Sequence, residues 1–278
     1  IVKTFKSNID FIGFHGQTIF HNAKEKISKQ LGDAKLLSQL TKKTVVYNFR
    51  ENDLKNGGQG APLAPIFHRL IKNKYKLKLP LIILNIGGIA NVTSIDSANK
   101  IYSNDVGPGN CLIDQWMRVN SKNKYDEDGK IAKSGKINKE ILNKALEKFE
   151  NKKESKSYDV KDFDLSFVRG LSLKDGAATL TEYTSEILHQ HLRISSDAHE
   201  KNIILSGGGR KNKFLIKRIE EKINIPLKLI DDFGIDGDFI ESQAFAYIAI
   251  RSYLNLPISF PETTGVKKPC FGGSIFKN

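Results

Sequence analysis

The sequence predicts an α/β protein with largely parallel sheets. Two observations carry that expectation: short apolar runs alternate with amphipathic stretches of helical period, and four glycine-rich loops fall directly after an apolar run or before a helix. A third narrows it, since no internal repeat and no low-complexity segment interrupts the alternation.

In chain order, "DFIGF" (10–14) reads as a strand, "DAKLLSQL" (33–40) as a helix, "TVVYNF" (44–49) as a strand and "APLAPIFHRLI" (61–71) as a helix. A basic, linker-like stretch, 72–80, precedes Pro80. "LIILNI" (81–86) and "NVTSI" (91–95) read as two strands folded back through Gly87-Gly88. A helix is predicted from Asn110, a good N-cap residue, because Leu112, Trp116 and Val119 recur at roughly helical spacing; "DVGPGN" (105–110) is then a loop entering that helix. Residues 174–193 carry Ala177, Leu180, Thr184, Ile187 and Leu188 on one amphipathic face. "NIILS" (202–206) is a buried strand, followed by a helix over about 212–223, a strand at 226–230 and a long helix over 238–254.

With 278 residues the chain is long enough for one large or two modest domains. The formal charge of +13 raises nucleic acid or an anionic membrane as partners, but 36 of the 44 basic residues are lysines, scattered over solvent faces such as 71–80 and 136–156. They are not gathered with aromatics into a stacking platform, so nucleic-acid binding is disfavoured. Cys111 and Cys270 form no CxxC pair, which signals neither a disulfide framework nor a zinc site and makes a reducing cytoplasm the default. No apolar run approaches the roughly 18 residues of a membrane span. The only methionine is Met117 and the chain opens on Ile1, so an N-terminal cut is expected.

Four loops are candidates for chemistry: "NGGQGAP" (56–62), "NIGGIAN" (85–91), "DVGPGN" and "SGGGRKN" (206–212). Glycine lets a backbone approach a ligand closely, and N–H groups at a helix mouth favour anions, so several such loops suggest a nucleotide cleft. Each alone is also simply how a strand ends. None is a P-loop, and "SGGGRK" is not GxGxxG. "GFHGQTIFH" places His15, Gln17 and Thr18 just after a strand, where they could bond a polyol, and Arg50 and Asp53 precede another glycine loop. His15 and His21 are not spaced as helix-borne metal ligands. Glu241 fits an ordinary first-turn acid favoured by the helix dipole.

Taken together, HGQT, "NGGQGAPL", "NIGGIAN", "DVGPGN", "SGGGRKN" and "IESQAFAYIAIRSYL" resemble anhydro-N-acetylmuramic acid kinase, in that family's order and over essentially the whole chain. The resemblance implies the two-domain fold of actin, hexokinase and heat-shock ATPases, with a ligand cleft between domains. Residues 1–80 would be the remnant of an incomplete N-terminal domain on the sugar side, and 81–278 the C-terminal, nucleotide-side domain. It implies ATP and Mg²⁺, an amino-sugar substrate, a homodimer and a cytoplasmic role in cell-wall recycling. The reaction implied opens the 1,6-anhydro bridge with water and phosphorylates O6, giving N-acetylmuramic acid 6-phosphate and ADP.

By motif, Asp105 would be the catalytic base and Glu241 a second acid near the sugar. His15, Gly16, Thr18, Arg50, Asp53, Gly57, Gly58 and Gly60 would bind the sugar, with Arg50 suited to its lactyl carboxylate. Asn85, Gly87, Gly88 and Asn91 of the hairpin, Gly107, Gly109 and Asn110, and Gly207, Gly208, Gly209 and Asn212 would bind the nucleotide. The family's opening GTSxDG loop has no counterpart here, which leaves a catalytically inactive remnant acting only in binding as an alternative. An actin-like switch ATPase is another, against which the polyol-type residues argue.

Overall fold

The computed structural model describes residues 8–151, 158–194 and 202–277. In chain order these form β1 (Phe11–Phe14), β2 (Gln17–Asn22), β3 (Ile27–Leu31), α1 (Ala34–Thr41), β4 (Thr44–Tyr47), α2 (Glu51–Lys55), α3 (Pro65–Lys74), β5 (Leu81–Ile86), β6 (Ile89–Ile95) and β7 (Ile101–Pro108). They continue with α4 (Cys111–Asn120), α5 (Lys130–Lys133), α6 (Lys139–Glu150), α7 (Leu173–Ile194), β8 (Asn202–Ser206), α8 (Lys213–Ile223), β9 (Lys228–Leu229), α9 (Ile240–Tyr253), α10 (Pro261–Thr264) and β10 (Ser274–Phe276). The fold is α/β, as predicted. It divides into two units: Ile1–Leu77 with Lys100–Ser103 and Phe239–Asn278, and Lys78–Asn99 with Asn104–Asp238.

The first unit is built on a three-stranded sheet of order β1-β4-β10. Val45 and Val46 of its middle strand are fully buried, the β-branched pair that makes "TVVYNF" legible as a strand. β1 runs parallel to β4, and β10 runs antiparallel on its other side, pairing Ser274 with Tyr47. Gly13 lets β1 lie directly against α9, since a Cβ there would come within 2.8 Å of the Ala249 Cβ. Val46, Phe49, Leu63, Ile66, Ile248, Ala249 and Ile258 form the core. The expected boundary at residue 80 therefore differs from the observed grouping: β10 completes an edge of the N-terminal sheet, and α9 covers β1.

The second unit holds a five-stranded sheet of order β7-β6-β5-β8-β9. β5, "LIILNI", reads as a near-continuous apolar run because Leu81, Ile83, Leu84 and Ile86 are buried on both faces of a central strand. β6 folds back antiparallel to β5 through Gly87-Gly88, while β8 and β9 add in parallel. The core joins side chains of β5, β6 and β8 to those of α4, α6, α7 and α8.

Two expectations are corrected locally. The sheets are mixed rather than largely parallel, because the β5–β6 hairpin and β10 both pair antiparallel. Residues 72–74 are the last turn of α3 rather than linker. Within the lysine-rich stretch 136–156, residues 139–150 form α6 with Leu142, Ala145 and Phe149 buried, and positions 152–156 lie outside the described residues, as do 1–7 at the chain's start. Among the described residues no helix is long and apolar enough to cross a membrane.

Candidate functional site

In the first unit the expected sugar-side residues gather around Arg50, at the N-cap of α2. Its Nε donates to Nε2 of His15 at 2.9 Å and its Nη1 to the Gly60 carbonyl at 2.8 Å. An imidazole nitrogen that accepts from a guanidinium carries no proton, so His15 is neutral with its proton on Nδ1, which donates to the Gly16 carbonyl at 2.8 Å. Burial and the Arg50 charge lower the His15 pKa to about 4. Its ring packs tilted, at 31°, on Phe245 of α9 with a centroid distance of 4.1 Å. Glu241 lies one turn before Phe245 on that helix, exposed in the first turn, and its charge reaches Arg50. Burial pulls the Arg50 pKa down to about 10 against the pull of Glu241 and Asp53.

Asp53 plays a supporting part. It is 1% exposed, and its oxygens accept from the Gly60 N–H and the Thr264 hydroxyl, each at 2.6 Å. Gly58 must be glycine here, because a Cβ would fall 2.1 Å from the Asp53 carboxylate. Gly60 is also buried and left-handed at φ +70, whereas Gly57 is exposed with open space where a side chain would go. Thr18 lies on β2, within the antiparallel β2–β3 ribbon, where Gln30 donates to its hydroxyl at 3.3 Å. His21 on the same ribbon bonds the Gln59 carbonyl at 2.9 Å, fastening the ribbon to the glycine loop.

In the second unit Asp105 lies on β7 rather than in a loop: the strand runs through Pro108. Its Oδ2 accepts from the Tyr158 N–H at 2.9 Å. Asn110 precedes α4 as expected but makes no side-chain cap; its amide instead donates to the Ile86 carbonyl at 3.3 Å. Leu112 and Trp116 are buried as the helical spacing requires, while Val119 is 70% exposed, the inner face being continued by Ile113 and Met117.

The two turns interlock. The N–H groups of Gly109, Asn110 and Cys111 donate to the carbonyls of Gly88, Gly87 and Gly88 at 2.9, 2.8 and 3.1 Å. Gly109 is needed for that approach, since a Cβ would lie 2.3 Å from the Gly87 oxygen. Gly107 is buried against Ile187 and Phe149. Gly88 is exposed, and Asn85 and Asn91 face each other across the hairpin.

The Gly207–Gly209 turn leaves β8. Gly209 is buried against Ile86, whereas Gly208 is exposed with no atom within 4 Å of a Cβ position. Asn212 is buried and caps α8, accepting from Leu215 N–H at 3.0 Å. Between them Arg210, 4% exposed at its side chain, forks onto Asp231 at 2.6 and 3.0 Å and reaches the Gly207 carbonyl at 3.1 Å and Asp238 at 3.0 Å. A cavity of about 760 Å³ opens here, lined by Asn110, Asp114, Gly208, Ile216 and Leu229 among others. That size and its mix of apolar walls and a few polar groups suit a small organic ligand. Burial pushes the Asp114 carboxyl up to about 6 against the opposing pull of Arg118.

Four contributors escape sequence reading. Arg210 and Thr264 matter through partners more than twenty residues away, Tyr158 through a backbone N–H, and Asp114 because an acid in "LIDQW" looks like the polar face of a helix. Only the arginine carried a signal, as a charge inside a glycine-rich strand exit.

The model of the family "Anhydro-N-acetylmuramic acid kinase" matches residues 2–278. An anhydro-N-acetylmuramic acid kinase from Pelagibacter ubique is 56% identical over 287 positions, covering 100% of this chain and 76% of its own length. One from Zymomonas mobilis is 42% identical over 269 positions, covering 96% and 73%. Among solved structures, the activator of the 2-hydroxyisocaproyl-CoA dehydratase from Clostridium difficile with bound ADPNP aligns with 65% of this chain and 65% of its own, at 15% identity and a TM-score of 0.39. The family match along the chain, together with whole-chain identity to the Pelagibacter relative, shows that the chain belongs to the anhydro-N-acetylmuramic acid kinase family.

Proposed function

We propose that this kinase adds water across the 1,6-anhydro bridge of 1,6-anhydro-N-acetylmuramic acid and transfers the γ-phosphoryl group of ATP to O6. The products are N-acetylmuramic acid 6-phosphate and ADP, and the setting is peptidoglycan recycling in the cytoplasm, with the protein acting as a homodimer. The observation that carries this reading is Asp105: a carboxylate on β7, three residues before the strand's end, with one oxygen fixed by the Tyr158 N–H. Asp105 takes the proton of the attacking water as the bond from the anomeric carbon to O6 breaks. O6 accepts the phosphoryl group, and the new anomeric hydroxyl keeps the water's oxygen. A positioned base contributes about 10²–10⁴-fold.

The first unit is assigned to the sugar. Arg50 is half-buried, cationic and aimed by His15 and the Gly60 carbonyl, an arrangement suited to a carboxylate-bearing sugar, with Glu241 as a second acid beside it. Asp53, Gly58 and Gly60 shape that wall from behind. Of the set expected to bind sugar, His15, Gly16, Thr18, Arg50 and Gly57 are the ones left partly or fully accessible.

The second unit is assigned to ATP. The cavity beside Gly208 and Asn110 has the size and lining for a nucleoside, and Gly88 and Gly208 allow close backbone approach. ATP supplies the transferable phosphoryl group. Mg²⁺ is assigned to the nucleotide's phosphates, where it characteristically keeps several waters and few protein ligands.

The test is Asp105→Asn. ADP formation that depends on anhydro sugar is expected to fall at least 10²-fold, while ADP affinity measured by calorimetry stays within threefold. Substantial residual turnover would return Asp105 to a structural part in β7, and ADP release independent of sugar would favour a switch ATPase.

A further inference from the structure

The cavity of the second unit is ringed with carboxylates, and all but one are engaged. Asp126 accepts from the N–H groups of Ile131 and Ala132 at 2.9 and 2.8 Å. Asp231 holds the Arg210 fork, Asp128 lies 3.6 and 3.4 Å from Lys130 and Lys213, and Glu127 lies 3.5 Å from Lys130. The Asp114 carboxylate receives no hydrogen bond from any described residue and feels only the Arg118 charge one turn on, although it is half-buried in the cavity wall. A carboxylate withdrawn from water without donors is costly unless a ligand brings them.

We propose that Asp114 accepts hydrogen bonds from the ribose hydroxyls of the bound nucleotide, and so sets a preference for ribonucleotides over deoxyribonucleotides. The proposal rests on the assignment of ATP to this cavity. Asp114 sits four residues beyond Asn110, about 6 Å along α4, and lines the same cavity as Gly208, Ile216 and Leu229. A cavity of about 760 Å³ that has a glycine turn, apolar side chains and this carboxylate in its lining offers one kind of partner to each part of a nucleotide: backbone to phosphate, apolar wall to base, and Asp114 to the sugar. Two adjacent hydroxyls present two donors to the two oxygens of one carboxylate. A single base amine has no such match. The raised carboxyl of Asp114 agrees with a group waiting for donors rather than one already satisfied.

The experiment compares ADP, 2′-deoxy-ADP and inosine diphosphate by calorimetry on the whole protein at pH 7.5. Wild-type protein is expected to bind 2′-deoxy-ADP about 10- to 100-fold more weakly than ADP, as for the loss of hydrogen bonds to a charged acceptor. Asp114→Ala should weaken ADP more than 2′-deoxy-ADP, which has only its 3′-hydroxyl bond to lose, so that the two bind within threefold of each other. Asp114→Asn, which keeps the shape and one acceptor oxygen, should fall between, and it serves if the alanine variant unfolds. An unchanged ratio of ADP to 2′-deoxy-ADP in both variants overturns the proposal while leaving ATP in the cavity. Discrimination against inosine diphosphate that disappears with Asp114 overturns it in favour of base recognition. Wild-type protein that binds no ADP overturns the nucleotide assignment and the proposal with it.

Discussion

Replacing Asp53 separates a residue that touches sugar from one that holds the wall behind it. In Asp53→Ala the Gly60 N–H and the Thr264 hydroxyl lose acceptors at 2.6 Å in a site only 1% exposed. Each stranded donor costs about 1–3 kcal/mol. The Thr264 hydroxyl can turn to the Phe260 carbonyl, now 3.4 Å away, and recover part of its share. The expected loss is therefore about 2–4 kcal/mol, a large fraction of a total stability of roughly 5–15 kcal/mol. Asp53→Asn keeps one acceptor for Gly60 and can donate to the Thr264 oxygen, so about 1 kcal/mol is expected. Thr264→Val removes the same contact from the other side. In the double-mutant cycle of Asp53→Ala with Thr264→Val, the coupling should be about 1–3 kcal/mol. Urea unfolding followed by far-ultraviolet circular dichroism reads these differences, with hydrogen exchange over residues 53–61 as the local check. The sugar KM should rise in both single variants, because both loosen the same loop. Equal stability of the Asn and Ala variants, with coupling near zero and a KM change confined to Asp53, would refute the argument and return Asp53 to direct sugar contact.

Gly109→Ala pushes a methyl to 2.3 Å from the Gly87 oxygen, a backbone atom that cannot swing aside; about 2–4 kcal/mol of second-unit stability should go, read by fluorescence of Trp116, the chain's one tryptophan. Arg210→Met removes the fork that ties the glycine turn to Asp231, so ADP affinity should drop about tenfold with the sugar KM nearly unchanged, and Arg210→Lys should restore little because an ammonium cannot fork. His68 is buried with its pKa pulled from 6.5 down to about 4 by burial. Its unfolded form binds the extra proton between those values, so its effect is absent above pH 7 and destabilising as pH falls through 6.5 toward 4. The slope is about 1.4 kcal/mol per pH unit inside that window, giving about 2 kcal/mol between pH 7.5 and pH 5. His68→Leu should flatten the unfolding free energy against pH by that amount; an unchanged profile would place the titration elsewhere.

What was legible in the sequence was what burial writes into it. β5 and β8 announce themselves because both faces of a central strand must be apolar, and α9 because its inner face covers β1. The β2–β3 ribbon leaves Ile19, Phe20, Ile27 and Leu31 exposed while Ser28 and Gln30 are half-buried, so its apolar residues do not mark an inner face. β10 is three residues long and becomes a strand only because β4 offers it an edge. Candidate site residues were named through motif, yet motif does not say which way a residue faces. Asn212 and Asp53 stand inside ligand motifs and spend their side chains on the protein: one caps a helix, and the other clamps a loop. Asp114 is the reverse case, an unremarked acid on a helix whose surroundings leave its carboxylate wanting donors.

The glycines of the second unit divide by what a side chain would meet, and that division changes how phosphate approach is argued. A helix mouth attracts anions through amides that have no other partner. At α4 the amides of Gly109, Asn110 and Cys111 are already taken by the carbonyls of the Gly87-Gly88 turn, so "DVGPGN" is locked to "NIGGIAN" rather than open to a ligand. Gly107, Gly109 and Gly209 are small because protein lies against them; Gly88 and Gly208 are small with solvent beside them. On the proposed assignment of ATP to this unit, close backbone contact with a phosphate would therefore fall to Gly88 and Gly208. The interlock of the two turns has a different use: it ties the Pro108 end of β7 to the hairpin, three residues beyond Asp105, which keeps that carboxylate at a fixed place on the sheet.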